Sequence, residues 1–326
     1  VAQARVIPLH GNTGARDGSV PKRQPAPVER EPEPQAAGPT LVQEAPPDLA
    51  DRLADFVEFT RRRLTGDYEV DEFGFDRELT DQVILPPLRQ LYQKWFRVEV
   101  IGAHHLPDRT GALIVANHSG TLPLDAMMTA VAVHDNHPRG RFLRMLGADL
   151  VFKTPLLGSL ARKTGQTLAC NADAERLLRE GHLVGVWPEG FKGIGKPFRD
   201  RYKLQRFGRG GFVSAALRTG TPIIPCSIVG AEEIYPKIAD LKPLARLFGF
   251  PYFPVTPLFP WLGPLGAIPL PSKWYIEFGE PVRTDGFGEG AEDDPMLVFN
   301  ITDQVRETIQ QTLYRLLSQR GNVFLG

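Results

Sequence analysis

The residues best placed to do chemistry lie in VANHSGTLPLDA, residues 115–126, where His118 follows Asn117 and Asp125 comes seven positions later. The run before it, GALIVA, reads as a short buried strand. The stretch after it, LPLDAMMTAVAV, reads as an apolar helix with Pro123 in its first turn. His118 therefore sits on a strand-to-helix corner, the place where open α/β sheets put their ligands. A carboxylate on one ring nitrogen fixes the tautomer and leaves the other nitrogen to take a proton, which is the work of a general base. The residues alone leave a plainer alternative open, a His beside an Asp that only favours a helix N-terminus.

A second constellation, VWPEGFKGIGKPFRDRYKLQRFGRGGF, spans residues 186–212. A strand ends at Trp187, and the Pro-Glu-Gly turn puts Glu189 and Gly190 at the same carboxyl edge as His118. Beyond the turn come Lys192, Lys196, Arg199, Arg201, Lys203, Arg206 and Arg209, interleaved with glycines and a single acid, Asp200. Local positive charge on a glycine-rich backbone suits an anion such as a phosphate. A solvated surface loop is the bland alternative. The chain as a whole carries no formal net charge, so concentrating cations beside this turn argues for a use.

These sites must be held by something large. The 326 residues, 42% of them hydrophobic, are enough for one large α/β domain or two small ones. With zero net charge no global field draws the chain to nucleic acid, and no nucleic-acid partner is expected. Cys170 and Cys226 both lie in apolar, strand-like surroundings, which fits buried thiols in a reducing compartment better than a disulfide framework or a zinc site. His134 and His137 are spaced loosely like ligands but have no further partners in their polar loop, so no metal is expected there. Residues 1–47 are rich in Pro, Gly and charge, too poor in apolar groups to offset the ordering cost, and read as a disordered leader without a signal-peptide core.

Residues 51–64 and 80–96 read as helices, the second with Ile84, Leu88, Leu91, Trp95 and Phe96 rimmed by Arg89, Lys94 and Arg97. Such a helix packs on a domain or lies on a membrane surface. Thereafter strand-like runs (RVEVIG, ALIVA, QTLAC, HLVGVW, PIIPCSIVG, KWYIEFG) alternate with helix-like stretches, and residues 295–320 form one long amphipathic helix. This order predicts an α/β fold, a mostly parallel central sheet flanked by helices with a long C-terminal helix. From Phe248 to Pro271 the sequence is uncharged and dense in Pro, which no membrane-spanning helix tolerates. It reads as a rigid apolar flap that lines an acyl groove, rests in a lipid interface through Trp261 and Tyr252, or simply covers the core.

NHSGTLPLD, PEGFKG and PIIPCSIVG, in that order, resemble the PlsC-type glycerolipid and lysophospholipid acyltransferase superfamily, most of all its monoacylglycerol-acyltransferase-like branch, over residues 98–282. The resemblance implies a division into the leader (1–47), N-terminal helices (48–97) and an acyltransferase domain (98–326). It implies that His118 is a base paired with Asp125, and it makes Asn117, Ser119, Glu189, Gly190, Lys192 and Lys196 substrate-binding residues. The family has four residues between its His and Asp where this chain has six, with Pro123 in the place of the usual acid. The family's second block ends in an Arg associated with the acceptor phosphate. Here Asn171 stands in that place, which favours a neutral or differently built acceptor, although Arg162 and Lys163 could compensate.

The implied reaction moves a fatty acyl group from acyl-CoA or acyl carrier protein to a lipid hydroxyl, on a monoacylglycerol, lysophospholipid or related glycerolipid. It needs no cofactor and no metal beyond the co-substrate. The implied setting is cytoplasmic, peripheral to the inner face of the cell membrane. Two rivals stand beside it: a thioesterase or hydrolase using the same His, without a Gly-x-Ser-x-Gly elbow, and a lipid-binding protein whose altered His-Asp spacing no longer works.

Overall fold

The computed structural model describes residues 49–154, 157–208 and 210–324; the expected leader and Arg209 lie outside the described residues. The chain divides into two compact units, one ending at Thr65 and the other running from Gly66. The first shows a single described helix, α1 (Leu49–Thr65), with Phe59 buried under the Arg63 guanidinium.

The second unit is built on β1 (Glu99–Ile101), β2 (Ala112–Ala116), β3 (Leu143–Gly147), β4 (Gln166–Leu168), β5 (Leu183–Val186) and β6 (Ile223–Val229). A separate two-stranded ribbon, β7 (Ala239–Asp240) with β8 (Pro254–Val255), precedes β9 (Tyr275–Phe278). The main sheet has the order β1-β9-β6-β2-β5-β3-β4. Strands β6, β2, β5, β3 and β4 are parallel to one another, and the β9-β1 pair runs against them. The mostly parallel sheet expected from the alternating pattern is therefore present. All the strand-like runs read from the sequence form strands. The strand β3 escaped that reading because Arg144 breaks its apolar run. Folding buries this arginine, pairs it with Asp71 and stacks it over the rings of Phe73 and Phe75.

Successive β2 side chains serve opposite faces, as a pleated strand requires. Ala112, Ile114 and Ala116 join one core with Trp274 and Phe96, whereas Leu113 and Val115 join the other. A strand with both faces covered must be apolar throughout, and all five β2 residues are buried.

The N-terminal helical segment of this unit runs from α2 (Arg77–Leu79) through a π turn, Thr80–Ile84, into α3 (Leu85–Gln90) and a second π turn, Leu91–Trp95. Pro86 and Pro87 have no N–H to give, and the turn before them is closed by Leu85 N–H bonding to Thr80, five residues back. The wider turns rotate the buried stripe, so Leu85, Tyr92 and Phe96 enter the core and Trp95 stays exposed. This segment packs on the domain.

The remaining helices are α4 (Leu124–Asn136), α5 (Asp149–Lys153), α6 (Leu157–Lys163), α7 (Asn171–Arg179), α8 (Phe191–Ile194), α9 (Gly211–Thr219), α10 (Lys242–Phe248) and α11 (Pro295–Gln319). The long C-terminal helix α11 is capped by Asp294, whose carboxylate accepts from Met296 and Leu297 N–H. Its Ile301, Val305, Ile309, Leu313 and Leu316 line the second core. Helix α4, by contrast, lies with the first core, through Met128, Val131, Ala132 and Val133.

Candidate functional site

Strand β2 ends at Ala116, opposite Cys226 of β6, and the chain must then leave the sheet without stranding polar groups. Asn117 solves this by continuing the ladder with its side chain. Its amide donates to the Ile228 carbonyl (3.0 Å) and accepts from Ile228 N–H (2.7 Å). Asn117 is fully buried and both amide groups are used. The structure thus gives it to the scaffold, where the family resemblance had implied substrate contact.

His118 comes next, with its ring still 13% exposed. Its Nδ1 lies 2.7 Å from Asp125 Oδ2, and the same oxygen accepts Ser119 N–H at 2.9 Å. Asp125 is fully buried, in the first turn of α4, where the helix dipole favours a carboxylate. The backbone explains how six intervening residues still bring the pair together. Gly120 (φ 94°) and Thr121 (φ 62°) are both left-handed, folding the extra length into a tight loop. A Cβ on Gly120 would lie 2.8 Å from the Ala231 carbonyl, so only glycine fits there. Thr121 is β-branched and costs about 1–3 kcal/mol in this conformation. It is held there by the Tyr252 hydroxyl, which donates to its carbonyl, and by its own hydroxyl on the Tyr235 carbonyl (3.3 Å). Pro123 caps α4 from outside instead of occupying its first turn.

Glu189 reaches the same corner from the end of β5. Its Oε1 accepts His118 N–H at 2.9 Å and its Oε2 accepts Gln205 N–H at 2.6 Å. Gly190 then turns with φ 54° and ψ −144°, a region that belongs to glycine. The short α8 follows, seated against the corner so closely that a Cβ on Gly193 would lie 2.7 Å from the His118 carbonyl and 2.9 Å from its Cβ. Trp187 closes the other side, its ring centroid 6.0 Å from that of His118.

The sequence-derived site residues separate into groups. His118, Asp125, Ser119, Glu189 and Gly190 do converge. Ser119 is buried and its N–H is taken by Asp125, leaving its hydroxyl without a partner. The N–H groups of Ser119 and Gly190 are both engaged, the latter on the Trp187 carbonyl (3.0 Å), and neither is free to stabilise an oxyanion. Lys192 is exposed beside the turn. Lys196 is not available to an anion, being buried between Glu232 (3.0 Å) and Glu189 (3.5 Å). Arg162 stays apart, beside β4 at the far edge of the sheet, stacked on Phe152. Asn171 starts α7, next to Gly211. The cysteines are free, Cys226 buried and Cys170 partly so.

Tyr252, a candidate lipid anchor by sequence, has a half-buried ring that packs near Gly195 and under the Lys237 ammonium (4.6 Å), with its hydroxyl on the His-Asp loop. Its role, like that of Trp187 and Gly193, depends on contacts between segments far apart in the chain. Trp261, by contrast, is 73% exposed.

An acyltransferase family model matches residues 97–229, the stretch that contains His118, Asp125 and Glu189. An uncharacterized protein of Mycobacterium tuberculosis is 59% identical over 293 residues, covering 89% of this chain and 82% of its own. The human protein named as a DGAT1/2-independent enzyme synthesizing storage lipids is 26% identical over 197 residues, 59% of this chain and 55% of its own. The fold matches the crystal structure of the 1-acyl-sn-glycerophosphate acyltransferase PlsC from Thermotoga maritima. The TM-score is 0.50 at 20% identity, over 83% of this chain and 90% of that one. The chain belongs to the PlsC-type acyltransferase superfamily. As an acyltransferase of this type it presents a His-carboxylate pair at the end of the central strand, with the second ring nitrogen not engaged by Asp125.

Proposed function

We propose that the protein transfers a fatty acyl group from a thioester donor, acyl-CoA or acyl carrier protein, to the hydroxyl of a lipid. His118 acts as general base and Asp125 holds it. The observation that carries this reading is the 2.7 Å contact between His118 Nδ1 and the buried Asp125 carboxylate. Nε2 takes the acceptor's hydroxyl proton, the oxygen attacks the thioester carbonyl, and the tetrahedral species collapses with expulsion of the thiolate, which recovers the proton from the imidazolium. Base catalysis of this kind contributes about 10²–10⁴-fold, and positioning supplies much of the rest. Lys192, with the exposed Arg199 and Lys203, holds the phosphates of the donor or an anionic headgroup. Asn171 in place of the family's Arg, and the storage-lipid name of the human relative, support a neutral glycerolipid such as a monoacylglycerol as acceptor, with a lysophospholipid second.

The same reading places the protein on the cytoplasmic face of the cell membrane as a peripheral enzyme. Leu122 and Phe191, on the two loops that carry the site, are exposed, and so are Leu247, Phe248, Phe250, Trp261, Leu262 and Leu265 of the flap region. Exposed apolar side chains on the site loops and the flap together support contact with a lipid surface. Among the described residues no helix is long and apolar enough to cross a membrane.

The test is thioester consumption. Parent and His118→Ala receive long-chain acyl-CoA with a panel of neutral and anionic acceptors, and free thiol and lipid product are both followed. Thiol release that depends on acceptor, and a fall of at least about 100-fold in the variant, supports the transferase reading. Acceptor-independent release points to the thioesterase, and equal inertness of parent and variant points to a lipid-binding protein.

A further inference from the structure

Behind the Pro-Glu-Gly turn lies a buried polar chain that substrate contact does not require. Lys196 Nζ donates to Glu232 Oε1 at 3.0 Å and to the Lys203 carbonyl at 3.2 Å, and sits 3.5 Å from Glu189 Oε2. Glu232 Oε1 also accepts Tyr202 N–H at 3.0 Å. The Tyr202 hydroxyl donates to Glu233 and accepts Gly230 N–H at 2.9 Å, and Arg320 closes the chain on Glu233 at 3.0 Å. Glu189, Lys196, Glu232, Glu233 and Tyr202 are all buried.

The chemistry of the two Glu189 oxygens is restrictive. Each faces a main-chain N–H, His118 on one side and Gln205 on the other, so both oxygens serve as acceptors, an arrangement that suits a carboxylate and that an amide cannot reproduce. A buried carboxylate needs a cation, and Lys196 is the ammonium at hand. That lysine is shared with Glu232, which takes the strain. Burial, with the Glu189 charge adding to it, pushes Glu232 up to about 7 against the pull of Lys196 and the Tyr202 N–H. The groups facing this cluster are therefore Lys196, Glu189, Tyr202, Glu233 and Arg320, on the loop after β5, the turn after β6 and the end of α11.

We infer that Lys196 and Glu232 are positioning residues for the proposed acyl transfer: they keep the Glu189 carboxylate as a two-armed acceptor, and Glu189 fixes His118 through its main-chain amide. This rests on His118 being the general base. It also removes Lys196 and Glu189 from the groups that touch substrate, although both lie in the motif that the family resemblance assigns to the acceptor.

The experiment compares Lys196→Met with the double variant Lys196→Met/Glu232→Gln in the full chain, using palmitoyl-CoA and monoacylglycerol, with melting temperatures read alongside. Removing the ammonium leaves two buried carboxylates facing each other, and kcat is expected to fall about 30-fold, the scale of one charged hydrogen bond, with both KM values unchanged. Neutralising Glu232 in the same chain leaves Glu189 alone with its two N–H donors, and kcat is expected to recover about tenfold over the single variant. A merely structural lysine would show no such rescue. A rise in KM at constant kcat, or a double variant no better than the single one, overturns the inference. If Lys196→Met does not fold, Glu189→Gln decides the matter: its NH₂ end must face an N–H, so kcat should again fall about 30-fold at constant KM, and full activity refutes the inference. His118→Ala is run in parallel. Its retention of activity sinks the general-base reading itself, whereas an inactive His118→Ala beside an unimpaired Lys196→Met sinks only the positioning role.

Discussion

Asp125→Asn is the most informative single perturbation of this site. Asp125 accepts three hydrogens: His118 Nδ1–H and Ser119 N–H at Oδ2, and Ala126 N–H at Oδ1 (2.9 Å). An amide in the same volume has one acceptor end. If its oxygen stays on His118 and Ser119, its NH₂ confronts Ala126 N–H. If it flips, the NH₂ confronts Ser119 N–H and drives His118 to the tautomer with a proton on Nε2, the nitrogen needed as base. In the first case the ring keeps its tautomer but loses the carboxylate that stabilises the imidazolium. A hydrogen bond to a charged group is worth about 1.5–3 kcal/mol, or about 10–150-fold in rate. In the second case the tautomer loss adds to this, toward about 10⁴-fold. The expected result is therefore a fall in kcat of about 10²–10⁴-fold, with KM for acyl-CoA little changed because Asp125 is fully buried. The assay is thiol release from long-chain acyl-CoA in the presence of acceptor, with melting temperature measured to confirm that the variant is folded. A kcat within about threefold of the parent, or a loss confined to KM, would refute the reasoning that the 2.7 Å pair is the working base.

Gly193→Ala should cut kcat by at least about tenfold, because its Cβ would meet the His118 carbonyl at 2.7 Å and displace the ring; activity at parental level would show that the corner yields freely. Tyr252→Phe removes the hydroxyl that holds left-handed Thr121, and the loss of one net hydrogen bond predicts a fall in kcat of about 2–10-fold, read by steady-state kinetics. Glu232 gives a pH signature: its carboxyl is raised by burial from 4.5 to about 7, so its folded-state proton stabilises the fold at low pH and that contribution is lost as pH rises through about 7. Melting curves from pH 4.5 to pH 8 should show this decline in the parent and a flatter profile in Glu232→Gln; identical profiles would contradict the assignment. Phe250→Asp with Trp261→Asp should abolish co-flotation with lipid vesicles while leaving turnover of soluble short-chain substrates intact, since both side chains point outward; unchanged flotation would remove the flap from the membrane surface.

The apolar runs, their alternation with amphipathic stretches, and the His, Asp and Glu at strand ends are local properties, and they were legible in the sequence. A buried strand must be apolar on both faces and an amphipathic helix must show its stripe, so β2, β5, β6, α4 and α11 declare themselves by composition and period. What each polar residue does was decided by the tertiary structure. Asn117, Lys196 and Lys192 look alike as motif members, yet the first is spent on Ile228, the second on two carboxylates, and only the third is exposed to meet an anion. The six-residue gap between His118 and Asp125 becomes a 2.7 Å contact only because two left-handed residues fold the loop and Tyr252, from a segment more than a hundred residues away, holds it. Spacing fixes how far a chain can reach, but the burial and partners of a polar group belong to whichever distant segments pack around it.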